Sequence, residues 1–336
     1  MVEEIVSLGQ STIVAVTLAE LLIQEKERVQ RFENLIGGKK AGSSSGKWIP
    51  SLDPYRNEKW CEISDSDERD VNAAVDAATR AFHSPEWAGM SATARGKLLH
   101  RVGDLIAANA DRLAELEVRD NGKLINEMLV QLRTIPEWFY YYGGLADKVE
   151  GGVLPIDKAD HFVFTTWEPL GVVAAITAWN SPLLLLTWKL APGLAAGNTF
   201  VIKPSEYASA STIAFAELFA QAGFPDGIVN VVCGTGQSVG APLVAHPDVA
   251  KIAFTGSDAA GKAINKAAAG DLKHVTLELG GKSPNIVFDD ADLEAAAAGV
   301  ASGIFAAAGQ TCIAGSRLLL QRTIYDAFLE KVRAVA

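Results

Sequence analysis

Short apolar runs alternate with helical patterns along the second half of the chain. Runs of this kind are typical of buried strands. They are Val172–Thr177, Thr199–Lys203, Ile228–Val232, Ile252–Thr255 and Val275–Glu278. Helical segments are predicted between them, near residues 183–195, 209–222, 237–245 and 258–269. This alternation predicts an α/β fold, in which a parallel sheet is covered by helices on both faces.

The first half of the chain has apolar residues at helical spacing. One helix, which Asp65 or Ser66 can cap, has a face made of Val71, Ala74, Val75, Ala78 and Phe82. A second helix follows Ser91, a third runs from Asp111 to near Gly122, and a longer one holds the aromatic residues 138–142. These apolar faces indicate a packed core rather than a cofactor site.

The remaining segments predict a hairpin and the beginning of a second unit. Residues 153–155 and 161–167 are extended segments with a polar connection, and such a hairpin needs a covering surface that another subunit could provide. Further on, we expect strands at 285–288 and 317–321, with an alanine-rich helix between them. The final amphipathic helix reaches Ala336 without a cap, which suggests a chain that is cut short.

The stretch from Leu170 to Trp188 contains no charged residue and is long enough to be tested as a membrane span. Asn180-Ser181-Pro182 lies near its centre, however. A strand, a polar turn and a helix therefore explain it better, and we predict no membrane association.

Composition and charge favour a protein that binds small molecules. The chain has 336 residues, 49% of them hydrophobic, which is enough for a sizeable core. A net charge of -10 argues against nucleic acid and anionic membranes as partners. The three cysteines, Cys61, Cys233 and Cys312, form neither a disulfide framework nor a metal motif, and the histidines show no ligand spacing. We predict no metal and a cytoplasmic location, and Glu3 and Glu4 argue against a secretory leader.

Several polar residues and glycines lie at or just past the carboxyl ends of the predicted strands. They are Asn180, Lys203, Gly234, Gly256 and Glu278. Ligands of open parallel sheets bind outside the carboxyl ends of the strands, so these residues predict one binding edge. Lys203 to Glu206 could bind ribose hydroxyls, and the backbone of Gly256 to Gly261 could bind a pyrophosphate. No Gly-x-Gly-x-x-Gly motif follows the first strand, so the ordinary dinucleotide fingerprint is missing.

Glu278 and Cys312 are the candidate chemical groups. Each lies among glycines and small residues, Glu278 before Gly280-Gly281 and Cys312 after Gly309, where a substrate can approach the backbone. We interpret them as the general base and the nucleophile of one site. The simpler alternatives are a structural ion pair for Glu278 and a small buried hydrophobe for Cys312, the class to which we assign Cys61 and Cys233.

Ser238 supports a competing hypothesis. Gly236-Gln237-Ser238-Val239-Gly240 matches the Gly-x-Ser-x-Gly motif of serine hydrolases. Gly234 and Thr235 separate this motif from the strand, and His246 follows the serine too closely for the usual order of a triad. A serine hydrolase is therefore the weaker alternative.

Taken together, these motifs resemble the aldehyde dehydrogenase superfamily, from about Phe32 to the end of the chain. Leu277 to Ser283 is similar to the family's glutamate signature, and Gly309 to Cys312 to its cysteine signature. Trp179-Asn180, Lys203 to Glu206 and Phe254 to Ser257 match family motifs in the same order.

The resemblance implies oxidation of an aldehyde to a carboxylic acid. Cys312 would attack the carbonyl carbon, Asn180 would hold the oxyanion, and Glu278 would activate water to hydrolyse a thioester. NAD is the implied cofactor, because Glu206 would repel the 2′-phosphate of NADP, although NADP stays the alternative. The implied cofactor-binding residues are Ile176, Thr177, Ala178, Trp179, Lys203, Ser205, Glu206, Gly236, Gly240, Phe254, Thr255, Gly256, Ser257, Ala260, Leu279 and Gly280.

The resemblance also implies a division into domains. It comprises an N-terminal extension (1–31), a Rossmann-like NAD-binding domain (32–148 and 169–277), an oligomerisation hairpin (149–168) and the beginning of an α/β catalytic domain (278–336). A full-length member would form a homodimer or homotetramer. Ala178 and Ala307 replace the family's usual proline and asparagine, and the family's segment beyond residue 336 does not follow. A non-catalytic truncated fragment is therefore a second alternative.

Overall fold

The computed structural model describes residues 29–336 and two short paired strands before them. Most of the predicted N-terminal extension lies outside the described residues. The strands are β1 (Ser7–Leu8), β2 (Ser11–Thr12), β3 (Gln30–Phe32), β4 (Asn34–Ile36), β5 (Lys39–Ala41), β6 (Trp48–Asp53), β7 (Glu58–Ser64), β8 (Val153–Leu154), β9 (Val163–Phe164), β10 (Val172–Ile176), β11 (Thr199–Lys203), β12 (Val229–Val231), β13 (Val249–Gly256), β14 (His274–Leu279), β15 (Pro284–Val287) and β16 (Arg317–Leu320).

Helices fill most of the intervals between the strands. They are α1 (Glu68–His83), α2 (Pro85–Ala88), α3 (Ala92–Ala108), α4 (Ala110–Asn121), α5 (Ile125–Leu145), α6 (Pro182–Ala195), α7 (Ala210–Gln221), α8 (Ala241–Ala245), α9 (Asp258–Ala269), α10 (Leu293–Phe305) and α11 (Tyr325–Val335). A π-helical turn (Gly236–Gly240) precedes α8, and 3-10 turns (Ala306–Gly309 and Arg322–Ile324) follow α10 and precede α11.

A seven-stranded sheet organises the structure, in the order β14-β13-β10-β11-β12-β4-β5. The first five strands in this order are parallel, which confirms the prediction, and β4 and β5 extend the sheet in antiparallel fashion. Ile176 at the end of β10 pairs with Lys203 of β11 and with Phe254 of β13, while Thr255 pairs with Glu278 of β14. The carboxyl ends of these strands therefore lie along one edge.

Both faces of this sheet are covered, as predicted. In β10, Val173 and Ala175 pack into a large cluster with α3 to α7, whereas Val172, Ala174 and Ile176 pack into a second cluster with α1, α8 and α9. Every residue of β10 and β11 is buried. A strand buried on both faces explains why these runs are continuously apolar instead of alternating.

The first helix has a different cap from the predicted one. Asp67, and not Asp65 or Ser66, is the N-cap of α1, and it forms a capping box with Asp70. Asp70 also accepts a hydrogen bond from the backbone of Ser44, so a loop contact fixes where the helix begins. Ser91 caps α3, and Gly122 ends α4 with φ +72, both as expected.

The hairpin and the C-terminal segment have the least core. Strands β8 and β9 form a short antiparallel pair on which Phe162 and Phe164 are exposed. Strands β15 and β16 form a separate parallel pair, against which α10 and α11 pack. The buried core of this segment consists of Val287, Ala297, Val300, Ile324 and Phe328.

The stretch from Leu170 to Trp188 divides as predicted into β10, a turn and the first part of α6. Within residues 29–336, none of the helices combines the length and the apolar character that crossing a membrane requires.

Candidate functional site

One cavity of about 760 Å³ lies at the carboxyl edge of the sheet. It is bounded by the ends of β10, β11, β13 and β14, by α8 and α9, and by the loop before Cys312. All the predicted site residues line it: Ile176, Thr177, Ala178, Trp179, Asn180, Lys203, Ser205, Glu206, Gly236, Gly240, Phe254, Thr255, Gly256, Ser257, Ala260, Glu278, Leu279, Gly280 and Cys312. The structure brings these residues together, and their individual roles stay predictions.

A buried cation and a partly exposed carboxylate lie together at the end of β11. The Lys203 side chain is buried, and its Nζ donates to the carbonyl oxygen of Pro204 (2.7 Å) and to Glu206 Oε2 (3.4 Å). Burial lowers the pKa of Lys203, and Glu206 partly counteracts this. This pair provides a donor and an acceptor at the cavity wall, which is the combination that a ribose diol needs.

Helix α9 directs its N-terminus at the cavity. Ser257 is its N-cap, and the Ser257 hydroxyl accepts a hydrogen bond from Ala260 N (3.2 Å). Unpaired backbone N–H groups of a first helical turn attract anions such as phosphate. Elsewhere on the wall, a Cβ added to Gly236 or Gly280 would meet no atom within 4 Å. These surfaces therefore leave room for a ligand and provide donors for a negatively charged one.

Asn180 connects the turn after β10 to the loop that carries Cys312. Its side-chain amide donates to the backbone oxygen of Gln310 (2.8 Å). An amide NH₂ group has two hydrogens, so one remains for a second acceptor in the cavity. Pro182 follows as the first residue of α6, where its missing N–H costs nothing. Asn180 is thereby held against the cysteine loop.

Cys312 is exposed, which is inconsistent with the buried-hydrophobe alternative for this residue. Ala307, Ala308 and Gly309 before it all have positive φ, and Glu127 Oε2 accepts a hydrogen bond from Ala307 N (3.0 Å). A Cβ on Gly281 would lie 3.4 Å from the carbonyl oxygen of Cys312, so the loop after β14 and the cysteine loop are close.

The other two cysteines behave as predicted. Cys61 and Cys233 are buried, and burial raises the pKa of both thiols, that of Cys233 to about 12. A thiol in such surroundings stays protonated and unreactive at neutral pH.

Glu278 is exposed on the outermost strand of the large sheet. Within residues 29–336 its side chain forms no hydrogen bond and no salt bridge, so the structural ion-pair alternative finds no support in the part of the chain that the structure describes. A carboxylate without a fixed partner is available to bind and activate water.

Lys189 is a site residue that the sequence analysis missed. Its Nζ donates to Thr255 Oγ1 (2.6 Å), and burial lowers its pKa to about 8, against the attraction of Glu278. Lys189 and Glu278 also line a second cavity of about 360 Å³. No pattern in the sequence marked Lys189, because only the fold turns this side of α6 towards Thr255.

Ser238 lies in the π-helical turn and serves as part of a cap. Its hydroxyl accepts a hydrogen bond from Thr235 N (3.1 Å) and lies 3.0 Å from Thr235 Oγ1. No hydrogen bond joins Ser238 to a histidine in residues 29–336, so a general base for a serine nucleophile is missing from this region. Nor does this part of the chain contain a group of three or more residues that could hold a metal ion.

Residues 41–336 match the aldehyde dehydrogenase family. The chain is 47% identical over 304 residues to (Z)-2-((N-methylformamido)methylene)-5-hydroxybutyrolactone dehydrogenase of Acinetobacter baylyi. The aligned region covers 90% of this chain and 62% of that protein. The chain is 43% identical over 292 residues to retinal dehydrogenase 2 of Homo sapiens, covering 86% of this chain and 56% of the relative. The chain thus spans about 60% of the length of such relatives.

Solved structures agree with the sequence comparisons. An NAD+ complex of aldehyde dehydrogenase from Bacillus cereus superposes with a TM-score of 0.89 at 40% identity, covering 94% of this chain and 64% of that one. The NAD-dependent aldehyde dehydrogenase from Sinorhizobium meliloti gives a TM-score of 0.89 at 39% identity, with coverages of 91% and 61%.

Proposed function

This chain belongs to the aldehyde dehydrogenase family, and we propose that it provides the cofactor site, nucleophile and general base for oxidising an aldehyde to a carboxylic acid. The observation that supports this most directly is the cavity of about 760 Å³, which contains Cys312, Glu278 and Asn180 together with the candidate nucleotide-binding residues. Similar proteins in NAD+ complexes support the choice of cofactor.

The cavity fits a dinucleotide in its chemistry. Lys203 and Glu206 would hold the adenosine ribose, and the first turn of α9 at Ser257 would hold the pyrophosphate. Because Glu206 is a carboxylate, it would repel a 2′-phosphate, which favours NAD over NADP. When bound, the nicotinamide would supply the hydride acceptor for the oxidation.

Cys312, as thiolate, would attack the aldehyde carbon and form a thiohemiacetal. The free amide hydrogen of Asn180 and the backbone N–H of Cys312 would stabilise the negative oxygen. After oxidation, the acyl group would be a thioester on Cys312. Glu278 would then remove a proton from water, whose oxygen attacks the thioester and releases the acid and the thiol.

The domain boundaries are those predicted from the sequence, with 32–148 and 169–277 binding the cofactor and 278–336 beginning the catalytic domain. The hairpin at 149–168 would pack against a neighbouring subunit in a homodimer or homotetramer, since Phe164 and Trp167 on it are 61% and 78% exposed. The free thiols fit a reducing compartment such as the cytoplasm.

The test uses NADH absorbance with NAD and a panel of aldehydes, on this chain and on a longer chain extended at its C-terminus to the length of its relatives. Cys312→Ala should abolish NADH formation and leave NAD affinity unchanged. Glu278→Gln should allow one NADH burst per site and then slow turnover by about 100-fold or more, since a general base contributes that much. Full activity of Cys312→Ala would refute the proposal, and NADH formation by the longer chain alone would favour the non-catalytic fragment for residues 1–336.

A further inference from the structure

A buried polar network lies beneath Asn180 and is not part of the cavity wall. At its centre are Asn121 and Lys123, which are only 3% and 4% exposed. Gly122 between them has φ +72 and ends α4, and a Cβ on it would lie 3.1 Å from Pro54. This left-handed turn lets the side chains on both sides of the glycine reach the same neighbouring segment.

Both side chains reach the turn that carries Asn180. Asn121 Nδ2 donates to the backbone oxygen of Asn180 (3.3 Å), while Asn121 Oδ1 accepts from Lys123 N (3.0 Å). Lys123 Nζ donates to Ser181 Oγ (2.6 Å), which in turn donates to Gln131 Oε1 (3.3 Å). Asn180 and Ser181, two successive residues of the turn, are therefore each held by a hydrogen bond from this network.

The network is energetically expensive, which indicates that it does more than fill space. Ser181 is the N-cap of α6 but makes no side-chain cap bond, because its hydroxyl is engaged by Lys123 and Gln131. Burial lowers the pKa of Lys123 and raises that of the neighbouring Glu117 to about 8. Glu117 Oε2 has no hydrogen-bond partner among the described residues. Burying such groups costs stability that apolar residues of similar size would not.

We propose that Asn121 and Lys123 are positioning residues, which hold the Asn180–Ser181 turn so that the Asn180 amide faces the loop of Cys312. This inference rests on the proposed function, because it assigns Asn180 a part in oxyanion binding. The Asn180 amide already bonds Gln310 O at 2.8 Å, two residues before the cysteine. A small displacement of the turn would therefore misalign the donor and the nucleophile together.

The sharpest variant is Asn121→Asp. Aspartate keeps the oxygen that accepts from Lys123 N but cannot donate to the carbonyl oxygen of Asn180. We expect the maximal rate of aldehyde oxidation to fall roughly 10- to 100-fold, the cost of a displacement of about 1 Å, with unchanged affinity for NAD. The matched control is Asn109→Asp, which removes a similar bond to Leu105 O (2.8 Å) at the other end of α4. That variant should keep the wild-type rate.

A double-mutant cycle separates positioning from loss of fold. If Asn121 acts through Asn180, Asn121→Asp should slow the wild type but have little further effect in an Asn180→Ala background. In a Glu278→Gln background, Asn121→Asp should lower the rate of aldehyde oxidation by the same factor as in the wild type. Rate losses that multiply in the Asn180→Ala background would overturn the proposal. If Asn121→Asp does not fold, Lys123→Met and Lys123→Arg replace it in the same cycle, and only Met should show the coupling.

Failure of the proposed function would be recognised separately. If neither the wild-type chain nor the longer chain forms NADH, the proposed function is refuted, and the positioning role is then tested by the rate at which iodoacetamide alkylates Cys312. Because Asn180 holds Gln310 O, Asn121→Asp should change the alkylation rate by about threefold or more, and Asn109→Asp should not. An unchanged rate in Asn121→Asp would overturn the positioning role.

Discussion

The wall of the cavity that carries Lys203 rests on β11, in which every residue is buried, whereas the wall that carries Cys312 adjoins the pair β15 and β16, in which only Val287 is buried. The first wall is fixed by the main core of the molecule. The second is held by a small cluster and by single hydrogen bonds, such as those from Asn180 and Ala307 N. The candidate cofactor side of the cavity is therefore pre-organised by packing, while the candidate chemical side depends on a few polar contacts.

The largest effect is expected from removing either of two fully buried phenylalanine side chains, Phe215 and Phe328. Phe215→Ala removes a ring that packs on Phe139 and Phe219, and should lower the free energy of unfolding by about 3–5 kcal/mol. Phe328→Ala should have a similar cost, but confined to the segment 284–335. Urea unfolding measures the first effect, and amide hydrogen exchange of that segment measures the second.

The control is the position of the main urea transition. It should shift in Phe215→Ala and stay in place in Phe328→Ala. Equal shifts would mean that the two regions unfold as one unit, and the proposed difference between the two walls would be wrong.

A smaller effect is expected at Lys189, which donates a hydrogen bond to Thr255 of β13 and interacts electrostatically with Glu278 of β14, at the margin of the large sheet that faces the cysteine loop. Its pKa of about 8 lies below that of a free lysine, so its charge is lost as the pH rises through about 8. The electrostatic attraction between the Lys189 ammonium and the Glu278 carboxylate is lost together with that charge. Steady-state turnover should therefore rise roughly two- to fivefold between pH 7 and 9 through this group.

Lys189→Met should remove that rise. The pre-steady-state NADH burst is the internal control, because in the proposed mechanism it depends on Cys312 and not on Glu278, and it should keep its own pH dependence. A pH profile that Lys189→Met leaves unaltered would show that the charge of Lys189 does not act on Glu278.

The smallest effect concerns the backbone before Cys312. Ala308 has φ +54, a conformation that costs an alanine roughly 1 kcal/mol and glycine much less. Ala308→Gly should relieve this strain, and scanning calorimetry should detect a gain of about 0.5 kcal/mol or less in the C-terminal segment, because glycine also loses more entropy on folding. A clear loss of stability would mean that the loop is held by packing rather than by its few hydrogen bonds.

Much of the fold could be predicted because its signals are local. The runs that became β10 and β11 are continuously apolar, and Ser91 and Gly122 mark helix ends with residues suited to those positions. Strands β4 and β5 were not predicted, since three-residue segments have no readable period and the pairing of β4 with β12 depends on residues about 200 positions away. The cap at Asp67 was missed because Asp65 and Ser66 are equally suitable residues in the sequence.

The candidate site divides in the same way. Residues that follow a strand directly, such as Lys203 and Glu278, could be predicted to line one edge, because parallel strands end together. The positions of Lys189 and Asn121 could not be predicted by this argument, because the sequence does not show which way a helical side chain faces or which carbonyl group it contacts. Ala307 combines a predictable and an unpredictable feature. The sequence shows that an alanine replaces the usual asparagine. It does not show that this residue adopts a left-handed conformation, which asparagine tolerates better than alanine.

Gly261 on α9 lies so close to β14 that an added Cβ would stand 2.6 Å from Leu279 Cδ2. The helix and the strand are therefore packed too closely at this point to admit any side chain in place of the glycine. A ligand that pulled on the first turn of α9 would transmit its displacement to Leu279, and thus to the carboxylate next to it. Substitutions designed to change the shape of this cavity should therefore move α9 and β14 together or leave both in place.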